Sequence, residues 1–276
     1  MTPTSTAAAH TLDVPGAQLH YQVRGTGPLV VLVGAPMDAA AFAPLAELLA
    51  TDRTVLTTDP RGHQGSVLDD PEQDSTPQLR ADDLARLIAH LGIGPAVVFG
   101  SSGGAVSALA LAESQPDLVT TVIAHEPPLG ELLDDRDRVR ANTEDMIATY
   151  RTGDVVGAWR KFMANANINI PEPVLQQMFG GEREPRQLAS ERYWFDHELR
   201  GTIIWEPNSD VLQSIPARII IGIGADSTDQ LCDRASRALG TAIGVTPTIF
   251  PGGHTGFVED PVAFATRLRE VLAATS

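Results

Sequence analysis

The amino-acid sequence predicts an α/β fold in which helices cover both faces of a mostly parallel central sheet. Short, continuously apolar runs of strand length alternate along the chain with longer segments of helical apolar spacing. Strands that are buried on both faces of a parallel sheet have this continuous apolar character, and the helices between them form the covering layers. The alternation lapses in the middle third, so we expect a helical segment to interrupt the sheet-forming part of the chain.

The first half of the chain supplies most of the expected strands. A leader to about Thr11 is small, polar and alanine-rich, and strands at residues 11–14 and 18–23 then flank the turn Pro15-Gly16. Strands and helices alternate from there. The further strands are residues 29–33, 54–58, the run that ends before Ser102, and 118–124, and the helices are residues 40–50, 78–91 and one that stops at Pro116.

The second half begins with a long helical stretch. Helices are predicted at residues 131–150, 154–165 and 186–199. Alternation resumes with a strand at 218–223, a helix at 228–239, a strand at 246–250 and a last helix, capped by Asp260, that runs to about residue 274. We therefore expect a core domain of residues 1–128 and 214–276, with residues 129–213 inserted as a helical cap.

Composition and charge exclude several kinds of partner. The 276 residues include 20 basic and 35 acidic side chains, for a formal net charge of −15. No basic stripe is available for a phosphate backbone or an anionic membrane, so we expect neither as a partner. Cys232 is the one cysteine, which excludes an internal disulfide and a cysteine-based zinc site. We expect Cys232 to be a small buried apolar residue, and we expect no metal.

The N-terminal residues and the lack of long apolar runs determine which cellular location we expect. The N-terminus has neither the basic flank nor the apolar core of a secretory signal, and no apolar run of about eighteen residues occurs. We therefore expect a soluble cytoplasmic protein, and the sequence leaves a homodimer open.

Ser102 is the candidate nucleophile. It is the centre of Gly100-Ser101-Ser102-Gly103-Gly104, which joins an apolar run to an alanine-rich helix and fits the pattern G-x-S-x-G. A serine at positive φ on a sharp strand-to-helix turn needs neighbours without side chains, and Gly100 and Gly104 provide that clearance. The turn also directs the Gly103 N–H toward a group bonded to Ser102, where an oxyanion would develop.

A serine hydroxyl also needs a base and a group that orients the base. His254 lies in a glycine-rich loop after the last strand. Loops at the carboxyl ends of parallel strands share one edge of the sheet, so we expect His254 to reach Ser102. Two carboxylates follow strands at that edge, Glu126 and Asp226. We favour Glu126, because Ser227 occupies the place where an acid is expected, and Asp226 remains the alternative.

Three motifs resemble those of the α/β-hydrolase family, in the family's order. They are the serine turn, the stretch Asp59-Pro60-Arg61-Gly62-His63-Gln64-Gly65-Ser66, which is similar to the family's D-x-R-G-x-G-x-S loop, and Pro251-Gly252-Gly253-His254. The resemblance extends from about Leu12 to Leu272 and implies an α/β-hydrolase fold with a cap. Within the family, Ser101-Ser102-Gly103 followed by His125-Glu126-Pro127 resembles the fungal zearalenone lactonases, whose acid lies at that strand, and this supports Glu126.

One departure from the family concerns the oxyanion hole. The family commonly has His-Gly-x-Pro after its second core strand, where this chain has Val33-Gly34-Ala35-Pro36. Matched by position, the Ala35 N–H is the second oxyanion donor beside that of Gly103, and Pro36 cannot donate.

The resemblance implies cofactor-free hydrolysis of a carboxylic ester or lactone through an acyl-enzyme on Ser102. Aromatic and apolar residues of the cap are expected to roof a pocket for a bulky apolar or aromatic molecule: Trp159, Phe162, Met163, Tyr193, Trp194 and Phe195.

Other functions remain as alternatives. Cofactor-free hydrolysis of a carbon–carbon bond and perhydrolysis use the same triad. A non-catalytic binding protein of this fold would usually lack a triad member, and all three are present. Dinucleotide binding is disfavoured because Gly100, Gly103 and Gly104 do not match G-x-G-x-x-G.

Overall fold

The computed structural model describes residues 7–274, in which nine strands form one sheet. The strands are β1 (Ala8–Val14), β2 (Ala17–Arg24), β3 (Leu29–Val33), β4 (Thr54–Thr58), β5 (Val67–Leu68), β6 (Ala96–Ser101), β7 (Val119–His125), β8 (Arg218–Gly224) and β9 (Thr248–Phe250). Their order is β1-β2-β4-β3-β6-β7-β8-β9, and β5 pairs with β2. The pairs from β4 through β3 to β9 are parallel, and those that involve β2 are antiparallel. The predicted fold class is confirmed.

The register of the central strands brings their carboxyl ends to one edge of the sheet. Gly100 of β6 lies opposite Val33 of β3 and Ala124 of β7. His125, the last residue of β7, lies opposite Gly222 of β8. The loops that follow β3, β6, β7 and β8 therefore emerge side by side, as they do in open parallel sheets.

Helices cover both faces of this sheet. The helices of the described residues are α1 (Ala43–Leu49), α2 (Pro77–Leu91), α3 (Gly103–Ser114), α4 (Arg136–Arg151), α5 (Val155–Ala166), α6 (Glu172–Phe179), α7 (Pro185–Tyr193), α8 (Leu199–Ile203), α9 (Ser209–Ser214), α10 (Leu231–Ile243), α11 (Gly256–Glu259) and α12 (Pro261–Ala273). One apolar cluster includes α2, α3 and α10, and the other includes α1 and α12. Asp260 caps α12 as expected, since its Oδ1 accepts the Ala263 N–H at 2.9 Å.

The loop after β4 joins several parts of the core. Asp59 accepts the N–H of Ala39 at 2.9 Å and that of Gly65 at 3.0 Å. Arg61 is buried and donates to both carboxylate oxygens of Asp83, at 2.7 and 2.6 Å. The loop that resembles the family's D-x-R-G-x-G-x-S motif therefore connects several parts of the core through buried hydrogen bonds.

The segment between β7 and β8 (residues 129–213) contains α4 to α9. Two of its tryptophans stack: the rings of Trp159 and Trp194 lie 5.2 Å apart and nearly parallel. The helix predicted at 186–199 is divided, because Trp194–Glu198 forms a π-helical turn between α7 and α8.

Residues 190–202 of this segment are hydrogen-bonded to the core at several points. The contacts are Gln64 N–H to Ser190 Oγ (3.0 Å), Tyr193 Oη–H to the Gln73 carbonyl (2.8 Å), Ser75 N–H to the His197 carbonyl (2.9 Å) and His63 Nε2 with Glu198 Oε2 (2.9 Å). Gly62 fits beneath Tyr193, since a Cβ at position 62 would lie 2.3 Å from the tyrosine ring.

Several predicted boundaries were wrong. β1 begins at Ala8, so the part of the predicted leader after that residue is strand, while Met1–Thr6 lie outside the described residues. The short elements β5, α6, α9 and α11 were not predicted. Within residues 7–274, no helix combines the length and the apolar character that crossing a membrane requires.

Candidate active site

Ser102 lies on a strained turn between β6 and α3. Its φ of 57° and ψ of −125° place it outside the regions that side-chain-bearing residues favour. The turn is sterically tight, because a Cβ at Gly100 would lie 2.3 Å from the Gly104 carbonyl oxygen and one at Gly104 would lie 2.2 Å from that of Val33. The predicted need for glycine at both positions therefore has a direct structural cause.

Glu126 is fixed at the end of β7. Its side chain is fully buried and its φ is 52°. Its N–H donates to the Gly222 carbonyl at 3.0 Å, and its Oε1 accepts the Gly224 N–H at 2.8 Å. β8 thus holds this carboxylate through both the backbone and the side chain.

His254 meets Glu126 across the sheet edge. Its Nδ1 lies 2.6 Å from Glu126 Oε2, and its side chain is 24 % exposed. Asp226, the alternative acid, is exposed, and its N–H donates to the Gly252 carbonyl. The structure therefore pairs the loop histidine with the carboxylate of Glu126.

The pair shifts the pKa of both partners toward their charged forms. Burial raises the pKa of Glu126, but the hydrogen bond and charge of His254 outweigh burial and lower this pKa to about 2. Burial lowers the pKa of His254, while the neighbouring Cys232 and Glu126 raise it by more. Glu126 is therefore a carboxylate at neutral pH.

His125 supports the same edge from inside the sheet. It is buried among phenylalanines, including Phe99, Phe250 and Phe264. Burial lowers its pKa to about 4, so the ring is neutral. Its carbonyl accepts the Ser102 N–H at 2.9 Å, which ties the serine turn to the strand that carries Glu126.

Ser102 and His254 line one cavity of about 220 Å³. Among residues 7–274 their side chains make no direct hydrogen bond to each other. Gly103 and Ala35, the two predicted oxyanion donors, also line the cavity. As the first residue of α3, Gly103 has no acceptor for its N–H within the helix. The two candidate donors are in close contact, because a Cβ at Gly103 would lie 2.6 Å from the Ala35 carbonyl oxygen.

The cavity wall opposite the sheet comes from residues 129–213. Of the predicted roof residues, Trp159, Phe162 and Trp194 line the cavity. Met163 does not: it lines a separate groove with Arg160 on the other side of α5. The predictions for Tyr193 and Phe195 were also wrong, because Tyr193 packs over Gly62 and Phe195 stacks on Tyr150 in the interior.

Sequence reasoning missed other lining residues. Cys232 was expected in the core, but it is only partly buried and faces the cavity from the first turn of α10. Met37, Met146, Leu199, Thr202 and Ile203 also line it. No lysine, arginine, aspartate or glutamate of the described chain belongs to this lining. Apolar spacing could have suggested that residues of α8 are buried, but which of them face the cavity depends on tertiary packing.

The arrangement brings together the residue types that acyl transfer uses. Ser102 on its strained turn, His254 held by the buried Glu126, and the two candidate donor residues Gly103 and Ala35 line one apolar cavity. Across residues 7–274, no group of three or more metal-ligating side chains is placed to hold an ion.

Known proteins resemble the chain over almost its whole length. It is 34 % identical over 269 residues to an uncharacterized hydrolase, YraK, of Bacillus subtilis (strain 168), with 95 % of each chain covered. It is 27 % identical over 264 residues to the zearalenone hydrolase of Bionectria ochroleuca, with 92 % of this chain and 94 % of that protein covered. Its fold is similar to that of Est816, described as an N-acyl homoserine lactone degrading enzyme, with a TM-score of 0.69, 19 % identity and coverage of 95 % and 99 %.

A family model agrees with these likenesses. The model described as alpha/beta hydrolase family matches residues 29–267, which include the serine turn, the strand that carries Glu126 and the loop of His254. The chain belongs to the alpha/beta hydrolase family.

Proposed function

We propose that the protein is a serine hydrolase that cleaves an uncharged carboxylic ester or lactone with a bulky apolar or aromatic part. The observation that carries the proposal is the 2.6 Å contact between His254 Nδ1 and the buried Glu126 Oε2. The same histidine lines the cavity that Ser102 lines. A carboxylate bound to Nδ1 fixes the ring and leaves Nε2 to exchange a proton with the nucleophile.

The reaction proceeds in two halves. Ser102 Oγ attacks the carbonyl carbon as His254 takes the hydroxyl proton, and the N–H groups of Gly103 and Ala35 stabilise the oxyanion. The carbon–oxygen bond to the leaving group then breaks, and His254 returns the proton to the leaving alcohol. His254 then deprotonates a water molecule, which attacks the acyl carbon; the bond to Ser102 Oγ breaks, His254 returns the proton to Oγ, and the carboxylic acid is released.

The cavity supports the choice of substrate class. Its lining is mainly apolar and has no lysine, arginine, aspartate or glutamate from the described residues, so a charged acyl group would lose hydration with no ionic partner except the catalytic His254. Residues 129–213 act as the cap that encloses the substrate, with Trp159, Phe162 and Trp194 against it. The name of the zearalenone hydrolase relative favours a zearalenone-type lactone among the candidates.

The test is a panel of p-nitrophenyl esters together with a zearalenone-type lactone. We expect the wild type to hydrolyse at least one compound and Ser102→Ala to lose that activity. A fluorophosphonate probe is expected to label the wild type on the peptide that contains Ser102, and Ser101→Ala, which removes the neighbouring buried hydroxyl, is the labelling control. No turnover and no label on the folded wild type would refute the proposal.

A further inference from the structure

Arg80 places a buried positive charge behind the cavity wall. It lies in the first turn of α2 and is 3 % exposed. Its guanidinium donates to the Ser75 carbonyl at 2.7 Å, to Ser107 Oγ at 2.8 Å and to Thr202 Oγ1 at 2.9 Å. Glu198 Oε2 lies 3.9 Å away. This cation is therefore held by neutral acceptors on three sides.

Thr202 is the member of this group that reaches the cavity. It is buried in α8, and it lines the same cavity as Ser102 and His254. Its oxygen accepts a hydrogen bond from Arg80, and among the described residues its own hydroxyl proton has no acceptor. A hydroxyl that accepts from a cation is polarised and becomes a stronger donor.

The other threonines of the lining differ in this respect. The Thr143 hydroxyl donates to the Val139 carbonyl at 2.8 Å, and the Thr255 hydroxyl donates to Glu259 at 2.7 Å. Their protons are therefore committed within the protein. Asn165 and Gln230, the remaining polar amides of the lining, are less buried than Thr202.

We infer that Thr202 determines specificity by donating a hydrogen bond to a second oxygen of the substrate, away from the ester bond. The inference rests on the proposed function and narrows its substrate class to uncharged esters or lactones that carry a keto, ether or hydroxyl oxygen. An apolar wall with one polarised donor favours a substrate whose acceptor meets it, because burying that donor unpaired has a cost.

The experiment measures binding in the Ser102→Ala background, where esters bind without turnover. Methyl hexanoate is compared with methyl 3-, 4- and 5-oxohexanoate, which move the acceptor along the chain, and the emission of Trp159 and Trp194 at the cavity reports binding. The dissociation constant of each oxo ester is divided by that of methyl hexanoate. We expect this ratio to be about tenfold lower for one oxo ester than for the other two, because one hydrogen bond contributes about this much. Adding Thr202→Val is expected to abolish that preference, and Thr202→Ser to retain it.

Thr143→Val is the matched control, because it removes a lining hydroxyl whose proton is already committed, and the preference is expected to survive it. Thr202→Ala replaces Thr202→Val if the valine variant does not fold. The inference fails if no oxo ester is preferred, if the preference survives loss of the Thr202 hydroxyl, or if Thr143→Val abolishes it equally. These ratios do not depend on hydrolysis, so they are distinguishable from failure of the proposed function, which appears as absent turnover by the wild type.

Discussion

Glu126 Oε2 lies 2.6 Å from His254 Nδ1, although the two residues are 128 positions apart in the chain. The parallel sheet creates this contact, since β7 ends, and the loop after β9 begins, at the same edge of the sheet. Glu126 also accepts a hydrogen bond from the Gly224 N–H, so β8, which lies between β7 and β9, fixes the carboxylate independently of the histidine.

Replacing Glu126 by glutamine is expected to lower kcat by about 10⁴-fold, because an amide no longer stabilises the imidazolium or selects the required tautomer. The measurement is steady-state hydrolysis of the best ester in the panel. Asp226→Asn is the control, and we expect near-wild-type turnover because this carboxylate is exposed. A large loss in Asp226→Asn with none in Glu126→Gln would reverse the assignment.

The pH profile is expected to report His254. The neutral ring is the base, so kcat/KM is expected to fall as the pH drops through the pKa of His254. Burial lowers this pKa, and Cys232 and Glu126 raise it by more, which places the midpoint above that of an ordinary histidine. Cys232→Ala removes one of the raising contributions, so the midpoint is expected to move to lower pH. An unchanged midpoint would show that Cys232 has no influence on the base.

Gly100→Ala is expected to cost about 3 kcal/mol or more of unfolding free energy, because the new Cβ would meet the Gly104 carbonyl oxygen at 2.3 Å. Urea denaturation measures the loss. Gly181→Ala is the control, since a Cβ there meets nothing within 4 Å. Equal stability of the two variants would mean that the serine turn relaxes without cost.

Two adjacent aspartates of α2 provide a matched test of burial. Asp83→Ala leaves the buried Arg61 unpaired and is expected to cost about 3–5 kcal/mol. Asp82→Ala breaks the ion pair with Arg86, in which the arginine side chain is 46 % exposed and the aspartate side chain 45 %. This variant is expected to lose less than about 1 kcal/mol of unfolding free energy. Chemical denaturation of both variants gives the comparison, and similar losses would contradict it.

Glu113 is expected to make stability depend on pH. Burial raises its pKa to about 7, which the hydrogen bond from the Asn208 N–H only partly offsets. The folded protein therefore keeps a proton that the unfolded chain has released, and this contribution to stability is lost as the pH rises through the range up to about 7. The difference in Tm between Glu113→Gln and the wild type is expected to shift in favour of the variant as the pH is raised from acid to neutral. A constant difference in Tm would contradict the raised pKa.

The sequence predicted those elements whose burial is continuous. β3 and β4 agree with the predicted residues 29–33 and 54–58, because both consist entirely of apolar and β-branched residues and both are buried throughout. The glycines around Ser102 were also predictable, since a sharp strand-to-helix turn has no room for a Cβ, whereas sheet topology alone left both Glu126 and Asp226 as candidates at the same edge. Short and partly exposed helices such as α6 and α9 have no comparable signal.

The cavity wall depended on information that local sequence lacks. Trp159 and Phe162 face the cavity while Met163, one position further along α5, faces the groove beside Arg160, so the outcome depended on the rotation of the helix. The bond between Arg80 and Thr202 joins residues 122 positions apart, and no spacing rule relates them.

The hydrogen bonds of residues 190–202 to the core have a consequence for how substrates are distinguished. Opening that side would break buried polar contacts such as the one between His63 and Glu198, whereas Asn167 at the end of α5 bonds the Asp229 carbonyl in an exposed position. The wall formed by α8 is therefore tied to the core by buried polar contacts, whereas the C-terminal end of α5 is tied to the Asp229 loop by an exposed one. If the proposed hydrolysis holds, we expect variation in a ligand to be tolerated more readily at its end near α5 than at its end near α8, so chemical diversity among substrates would be concentrated in one half of the molecule.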